Sequence, residues 1–416
     1  MLYNIGILLY ALAIRVASLN LEKARLWRKG RKFLFERMRG IISPKDRVVW
    51  VHAASLGEFE QGRPLIERVR EEYPEYKILL TFFSPSGYEI RKDYEGADYI
   101  FYLPLDLPWN ARKFLDIANP EVAIFVKYEY WFNLLFELRR RKIRSYVVSA
   151  IFREKSPFFK WWGWLWRRAL KSFNMIFVQN QESKTLLKKI GFESVIVAGD
   201  TRFDRVATIA QGANQLPTIE RFKGESRLLV AGSTWLPDER LLCELARRHP
   251  EVKIIIAPHE IDEKHIFEIE DMFGNVALRY TEVTQVGEDG VELTTELSRA
   301  QVLILDTMGM LSSLYQYGDY GYIGGGFGVG IHNTLEAATF GLPIAFGPNY
   351  SRFKEAVDMA SEGACCPIND AEELDKWFSA QLNDEAFHAR SSRSAKDYTS
   401  RNCGATELIT RTIFRL

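Results

Sequence analysis

Short apolar runs, rich in Val and Ile and separated by helix-length stretches, recur along the whole chain and constrain its fold more than any other feature. In the first half they are RVVWVHAA (47–54), KILLTFF (77–83), VAIFVK (122–127), SYVVSAIF (145–152), MIFVQN (175–180) and SVIVAG (194–199). In the second half they are RLLVAGS (227–233), VKIIIAPH (252–259), QVLILD (301–306), YGYIGGG (320–326) and LPIAFG (342–347). A strand that is apolar on both faces belongs in a parallel sheet covered by helices on each side, so both halves read as doubly wound α/β. The 416 residues exceed what one core usually supports. Two Rossmann-like domains are therefore expected, their strand carboxyl ends, and hence their ligand crevices, facing a central cleft. The polar stretch 208–226, which contains Gly and Pro, reads as a linker between a domain at 41–207 and one at 227–416.

Charge and cysteine usage narrow the function. A net charge of +1 argues against a general nucleic-acid binder, but residues 21–40 hold eight Lys or Arg against two Glu. This block follows an apolar run at 5–14 that is too short to span a bilayer. Residues 1–40 thus read either as a helix buried on the domain or as an interfacial segment with a second, basic signal toward anionic lipid. A second candidate for lipid contact is FFKWWGWLWRRALKSF (158–173), with four Trp and three Phe beside basic residues. Plain core packing is its alternative. The four cysteines lack C-x-x-C spacing and fit a reducing compartment. Neither H-E-x-x-H nor D-x-D occurs, so no protein-held metal and no metal-dependent chemistry is expected.

Two stretches carry candidate chemistry. In HAASLGEFEQG (52–62), Ser55 and Glu58 spell the S-x-x-E capping box, yet Glu58 also stands just past a strand, where α/β proteins place reactive groups. It is a cap or a base. In YGYIGGGFGVGIHNTLEAATFGLPIAFGP, a strand runs into a Gly-rich loop that includes Gly328 and Gly330, and a helix is expected to open near His332 and Asn333. Such a loop brings backbone amides and a helix N-terminus to a phosphate. A merely connecting turn is the alternative. Glu336, one turn on, can accept two hydroxyl donors, as from a ribose. Ser233 and Thr234 in GSTW and His259 in PHE, both after strands, complete the outline of a nucleotide pocket.

HAASLGEFEQGRPLI, KYEYW, GDTRFD, GST, ILDTMGMLSSLY and GGGFGVGIHNTLEAATFGLPIAFGP stand in the order found in the 3-deoxy-D-manno-octulosonic acid (Kdo) transferases, which this chain resembles over nearly its whole length. The resemblance implies a GT-B fold. It also implies transfer of Kdo from CMP-Kdo to the acylated, phosphorylated lipid A precursor (lipid IVA) in lipopolysaccharide synthesis, with inversion and release of CMP. The place implied is the cytoplasmic face of the cell inner membrane, and no cofactor is implied beyond the donor. Position by position, the general base falls on Glu58, and the transition-state stabilisers fall on Glu129 and Arg202. CMP contacts fall on Pro258, His259, Met308, Gly309, Met310, Asn333, Thr334, Leu335 and Glu336. The chain departs from the family pattern at Arg202, where Lys is common, at the residue before His259, where Arg is usual, at Met310 in place of Glu, and at Ile331 in place of Gly.

On this reading Glu58 is the base and Ser55 the cap, with the helix dipole keeping Glu58 ionised and lowering its basicity. A sugar-nucleotide epimerase and a non-catalytic lipid or nucleotide-sugar binder are the rival readings. The aromatic and apolar segments weigh against the first, and the two intact carboxylates weigh against the second.

Overall fold

In a computed structural model, which describes residues 2–127, 129–285 and 296–415, every apolar run above forms a strand, and all strand pairing is parallel. The first sheet contains β1 (Arg47–Ala53), β2 (Tyr76–Phe82), β3 (Tyr99–Tyr102), β4 (Pro120–Val126), β5 (Arg144–Ala150), β6 (Met175–Val178) and β7 (Val195–Val197). Their order is β3-β2-β1-β4-β5-β6-β7. The second contains β8 (Leu228–Thr234), β9 (Lys253–Pro258), β10 (Ala277–Arg279), β11 (Val302–Ile304), β12 (Tyr320–Ile323), β13 (Ile344–Phe346) and β14 (Cys365–Pro367). Their order is β10-β11-β9-β8-β12-β13-β14.

Alternation along β1 shows why the run is apolar throughout. Val48 and Trp50 enter one core cluster, whereas Val49, Val51 and Ala53 enter the cluster on the opposite face. Trp50, fully buried, pairs in register with Leu79 of β2 and Ala123 of β4. Its indole N–H donates to Thr81 Oγ1 at 2.8 Å, so the one polar atom it buries is satisfied.

The chain divides into two compact units, Met1–Arg205 with Asn402–Leu416, and Val206–Arg401. This corrects the expected boundaries in two places. The stretch 208–226 is not an open linker. Its helices Thr201–Gln211 and Pro217–Lys223 occupy most of it, Ile219 and Phe222 are buried, and Lys223 pairs with Asp319 at 2.9 Å. The domain expected at 227–416 also ends early. The helix Ala405–Phe414 buries Ile409 and Ile413 in the core of the first sheet, because its apolar face matches that sheet's Val and Ile surface.

Residues 2–41 form three helices, Leu2–Ala17, Glu22–Gly30 and Leu34–Ile41, all in the first unit. Leu34 and Met38 anchor the last in the core, but the first helix has no buried residue. It is held by polar contacts near its start. Tyr3 donates to Asp106 at 2.6 Å, and Asn133 donates to Asn4 at 2.9 Å. Leu9, Leu12 and Val16 are exposed. No described helix is long and apolar enough to cross a membrane.

Candidate active site

In the first sheet the strand order reverses between β1 and β4, and a doubly wound sheet opens its crevice at the carboxyl ends of such a pair. Glu58 and Glu129 follow those two strands. The helix Leu56–Glu72 begins directly after β1, with Glu58 at its third position, and Glu58 Oε2 accepts from the Ala54 amide at 2.6 Å. Glu58 therefore reaches back past the cap residue Ser55 to the amide before it, so the reach-back half of a capping box is not formed as the S-x-x-E pattern predicts. Ser55 does not perform the other half either. It has extended dihedrals at the cap position, but its hydroxyl makes no cap hydrogen bond. A side chain on Gly57 would meet nothing within 4 Å, so space lies open beside Glu58.

The helix dipole does not set the basicity of Glu58. Its pKa is raised, first by burial and next by the charge of Glu129, while the Ala54 amide, His52 and Lys127 oppose the shift. The expectation of a weakened base is overturned because desolvation and a like charge outweigh the Ala54 amide and the charges of His52 and Lys127. Glu129 is itself tightly held. Its Oε2 accepts from Trp131 Nε1 at 2.6 Å and lies 3.2 Å from Nε2 of the fully buried His52. His52 Nδ1 lies 2.9 Å from Thr81 Oγ1, which already accepts from Trp50. His52 Nδ1 also lies 3.0 Å from the Thr81 carbonyl, and the Trp131 indole N–H lies 3.1 Å from His52 Nε2, so the ring is held on both sides.

Arg202 opens the helix Thr201–Gln211 and pairs with Asp200 through Nε at 2.9 Å and Nη2 at 2.8 Å. Thr201 bonds to the Gln61 carbonyl, one turn beyond Glu58, and lies 3.0 Å from Ser149 Oγ. Arg202 is thus tied to the helix that carries Glu58. A cavity of about 990 Å³ in the same unit is lined by Glu129 together with Tyr3, Ile7, Trp131, Trp162 and Trp166. The apolar helix and the Trp-rich segment, far apart in sequence, line one space. The Trp-rich segment itself divides. Phe158, Leu170 and Phe173 pack in the core, whereas Trp161 is 90% exposed.

In the second sheet the order reverses between β8 and β12. Ser233, the penultimate residue of β8, has a left-handed φ of 54°. Thr234 is buried and donates to Glu239 at 2.9 Å, so its hydroxyl serves the fold and is not offered to a ligand as expected. Pro258 is buried at the end of β9, and the exposed His259 stacks on His332 with ring centroids 4.3 Å apart. Burial and the neighbouring His259 lower the His332 pKa. The helix expected near His332 starts later, at Leu335, and covers only Leu335–Ala338. The helix-end contribution to anion binding is correspondingly small.

Within the Gly-rich loop the glycines divide by role. A Cβ on Gly324 would lie 2.3 Å from the Ser233 carbonyl, and one on Gly326 would lie 2.6 Å from Gly347 backbone, so these two permit chain packing. Gly330 adopts φ 135° and Gly328 is exposed. Glu336 accepts from Asn333 Nδ2 at 2.9 Å and from Ser312 Oγ at 2.7 Å. Asn333 Oδ1 in turn accepts from the Leu335 amide at 3.1 Å. Ser312 belongs to the short helix that follows Met308, Gly309 and Met310, so the ILDTMGM and HNTLE motifs meet through Glu336. Met308 is exposed, Gly309 has φ 87°, and Met310 Sδ lies 3.2 Å from Thr307 Oγ1. Thr334 and Leu335 are buried, and Ile331 also faces inward.

Residues 28–205 match the family model described as 3-deoxy-D-manno-octulosonic-acid transferase (kdotransferase). The matched residues lie within the N-terminal unit. Similarity to curated Kdo transferases extends along most of the chain. The Aquifex aeolicus enzyme is 27% identical over 78% of this chain and 83% of its own length. The Haemophilus influenzae enzyme is 24% identical over 88% and 86%. Among solved structures, the UDP-GlcNAc 2-epimerase from Neisseria meningitidis aligns with a TM-score of 0.62 at 15% identity, covering 89% of this chain and all of that one. That likeness shows the two-domain α/β fold of the GT-B class. The chain is similar to enzymes of the Kdo transferase family over most of its length.

Set beside the family motifs, several supporting residues escaped sequence reading. His52, Thr81 and Trp131 hold Glu129, and Asp200 holds Arg202. Asp238 accepts from the Gly325 amide at 2.9 Å, the Trp235 amide at 3.0 Å and Tyr322 at 2.8 Å, fixing the Gly-rich loop to the end of β8. A His within an otherwise apolar strand and an Asp three residues past GSTW were the available signals.

Proposed function

We propose that the chain transfers Kdo from CMP-Kdo to the acylated, phosphorylated lipid A precursor (lipid IVA) in lipopolysaccharide synthesis, with inversion and release of CMP. The observation that carries the reading is the position of Glu129. It lines an apolar, Trp-walled cavity and stands beside a carboxylate whose basicity it raises. An acceptor with acyl chains and a reactive hydroxyl needs both kinds of surface in one place.

Glu58 takes the proton of the acceptor hydroxyl as its oxygen bonds to the anomeric carbon of Kdo. CMP departs from the opposite face with the bonding electron pair, which inverts that carbon. CMP is already a good leaving group, so it needs donors around its phosphate and no proton. Arg202 and Glu129 stabilise the charge that develops in the transition state. The second unit holds CMP through the Gly-rich loop, Ser233, Pro258, His259, the 308–310 turn, Asn333 and Glu336. No cofactor or metal takes part, and the reaction runs at the cytoplasmic face of the inner membrane.

The test is to incubate the protein with CMP-Kdo and tetra-acylated lipid A precursor and read the product mass. A precursor heavier by whole Kdo units, with CMP released and unaffected by a chelator, is expected. Hydrolysis of CMP-Kdo without any gain in precursor mass overturns the reading.

A further inference from the structure

In the second unit a carboxylate and an imidazole join the ends of β8 and β9. Glu239, on the helix Leu236–Arg248, is fully buried. Its Oε1 accepts from Thr234 Oγ1 at 2.9 Å, and its Oε2 lies 2.8 Å from Nε2 of His265 on the helix Glu263–Phe273. The other ring nitrogen, Nδ1, lies 3.1 Å from the carbonyl of Glu260. The His259 amide donates to the Thr234 carbonyl at 2.9 Å. His259 therefore stands between two ties, and Glu239 reaches both, through Thr234 on one side and through His265 on the other. A carboxylate and a carbonyl only accept. A neutral ring, with its single N–H, satisfies one of them, whereas an imidazolium satisfies both. Burial works against the charged ring, but the bond and charge of Glu239, with the Glu260 carbonyl and the charge of Asp262 at the cap of the same helix, outweigh it and raise the His265 pKa. Burial and the neighbouring Asp238 raise the Glu239 pKa, opposed by His265 and Thr234. On the β10 side, Arg279 pairs with Glu263 at 3.0 Å and with Glu270 at 2.6 Å.

We propose that Glu239 and His265 are positioning residues of the nucleotide site, which fix the loop carrying His259 to the end of β8 and hold it fully only while the His265 ring is a cation. The inference rests on the reading that this unit takes CMP, and it makes the affinity depend on groups that act on His259 rather than on the nucleotide. The His259 ring stacks on His332 at 4.3 Å, so slack in the loop displaces a ring of the site. Below the ordinary histidine value, about 6.5, both ties are made. As pH rises through the raised value of the folded protein, the ring loses one proton. The proton that remains stays with the carboxylate, because a hydrogen bond to an ionised acceptor is the stronger of the two. The Glu260 carbonyl is then released, the loop loosens, and CMP affinity falls.

The test is calorimetric titration of CMP, from about pH 6 to about pH 9, into the native protein and into His265→Gln, with melting curves to confirm folding at each pH. The phosphate of CMP titrates within this range, so the quantity read is the ratio of the two affinities at each pH, in which the ligand's own titration cancels. Gln keeps a donor for Glu239 but carries no charge at any pH. The native protein is expected to bind about 10-fold more tightly at the acid end, the scale of one charge-assisted hydrogen bond, and the ratio is expected to fall toward one as the pH rises. A purely structural His265 would lower the melting temperature and leave the ratio independent of pH. Glu239→Gln is the second variant, and it removes the anion that favours the cationic ring. It should show the same loss at the acid end and the same convergence. A ratio that stays constant with pH, or no loss at the acid end, in either folded variant overturns the inference alone. A native protein that binds no CMP at any pH overturns the reading on which it rests, and the inference with it.

Discussion

Ionising Glu58 is opposed by burial and by Glu129, and the raised pKa has consequences for both stability and rate. A carboxyl whose folded-state pKa lies above its unfolded value favours the folded state at low pH, and that favour is lost as pH rises through the folded pKa. The ionised carboxylate therefore costs stability at neutral pH. Glu58→Gln removes the cost, and its amide oxygen can still accept from Ala54. Its melting temperature is expected to match or exceed that of the native protein, while turnover falls by at least ~10²-fold, as for a lost general base. A variant that melts lower and keeps most of its activity would make Glu58 a cap only. A second prediction uses the neighbour. Glu129→Gln deletes the like charge, so the acid limb of the kcat/KM profile of its residual activity should move to lower pH. A limb that stays in place or moves up would sink the coupling. Sequence reading found Glu58 from its place next to a strand end, and Glu129 from the family resemblance alone. It missed the sign of the shift, because burial and the approach of Glu129 are tertiary properties that no local motif records. It also assigned the cap to Ser55 from the S-x-x-E pattern, but the amide bound by Glu58 is that of Ala54, one residue earlier.

The strands overlooked in the sequence are β3, β10 and β14, and all three lie at the outer edge of a sheet. An edge strand has one partner, so it needs fewer apolar residues and can be short; β10 and β14 have three residues each. The central strands were legible because burial on both faces demands Val and Ile at every position. The C-terminal helix was illegible for another reason. Ile409 and Ile413 show one apolar face, but nothing local says which sheet it covers. Truncating one of those contacts tests the assignment. Ile409→Ala is expected to cost about 2–5 kcal/mol, the range for a buried large-to-small change. The loss should fall on the first unit, so CMP affinity measured by calorimetry on folded protein should persist. If CMP binding is lost in step with Ile409, the helix belongs with the second unit. The N-terminal helix behaves oppositely, since Leu9 and Leu12 are exposed. Leu9→Ser with Leu12→Ser should leave the melting temperature unchanged and raise the KM for micellar acceptor but not for CMP-Kdo. A matching rise in both would refute a role for this helix in acceptor access.

Across the whole molecule the same sheet architecture is equipped twice for different ligands. The first unit places two carboxylates, a buried His and an aromatic cavity around the β1 and β4 ends. The second places glycines, a Ser, two stacked imidazoles and one carboxylate around the β8 and β12 ends. Residue types so different at equivalent positions fit a division of labour in which nucleotide binding belongs to the second unit and proton transfer to the first. The division makes a prediction that a single-site enzyme would not share. Glu336→Ala removes the group that joins Asn333 to Ser312 and should weaken CMP affinity, because the turn at 308–310 loses its link to the Gly-rich loop. The melting temperature should change little, since Glu336 is only partly buried and its two partners can turn to water. Glu58→Gln should leave CMP affinity at the native value while turnover falls by at least ~10²-fold. Calorimetric titration of CMP into both folded variants decides the matter. Equal weakening by the two substitutions, or none by Glu336→Ala, would mean that nucleotide binding is not assigned to the second unit as argued.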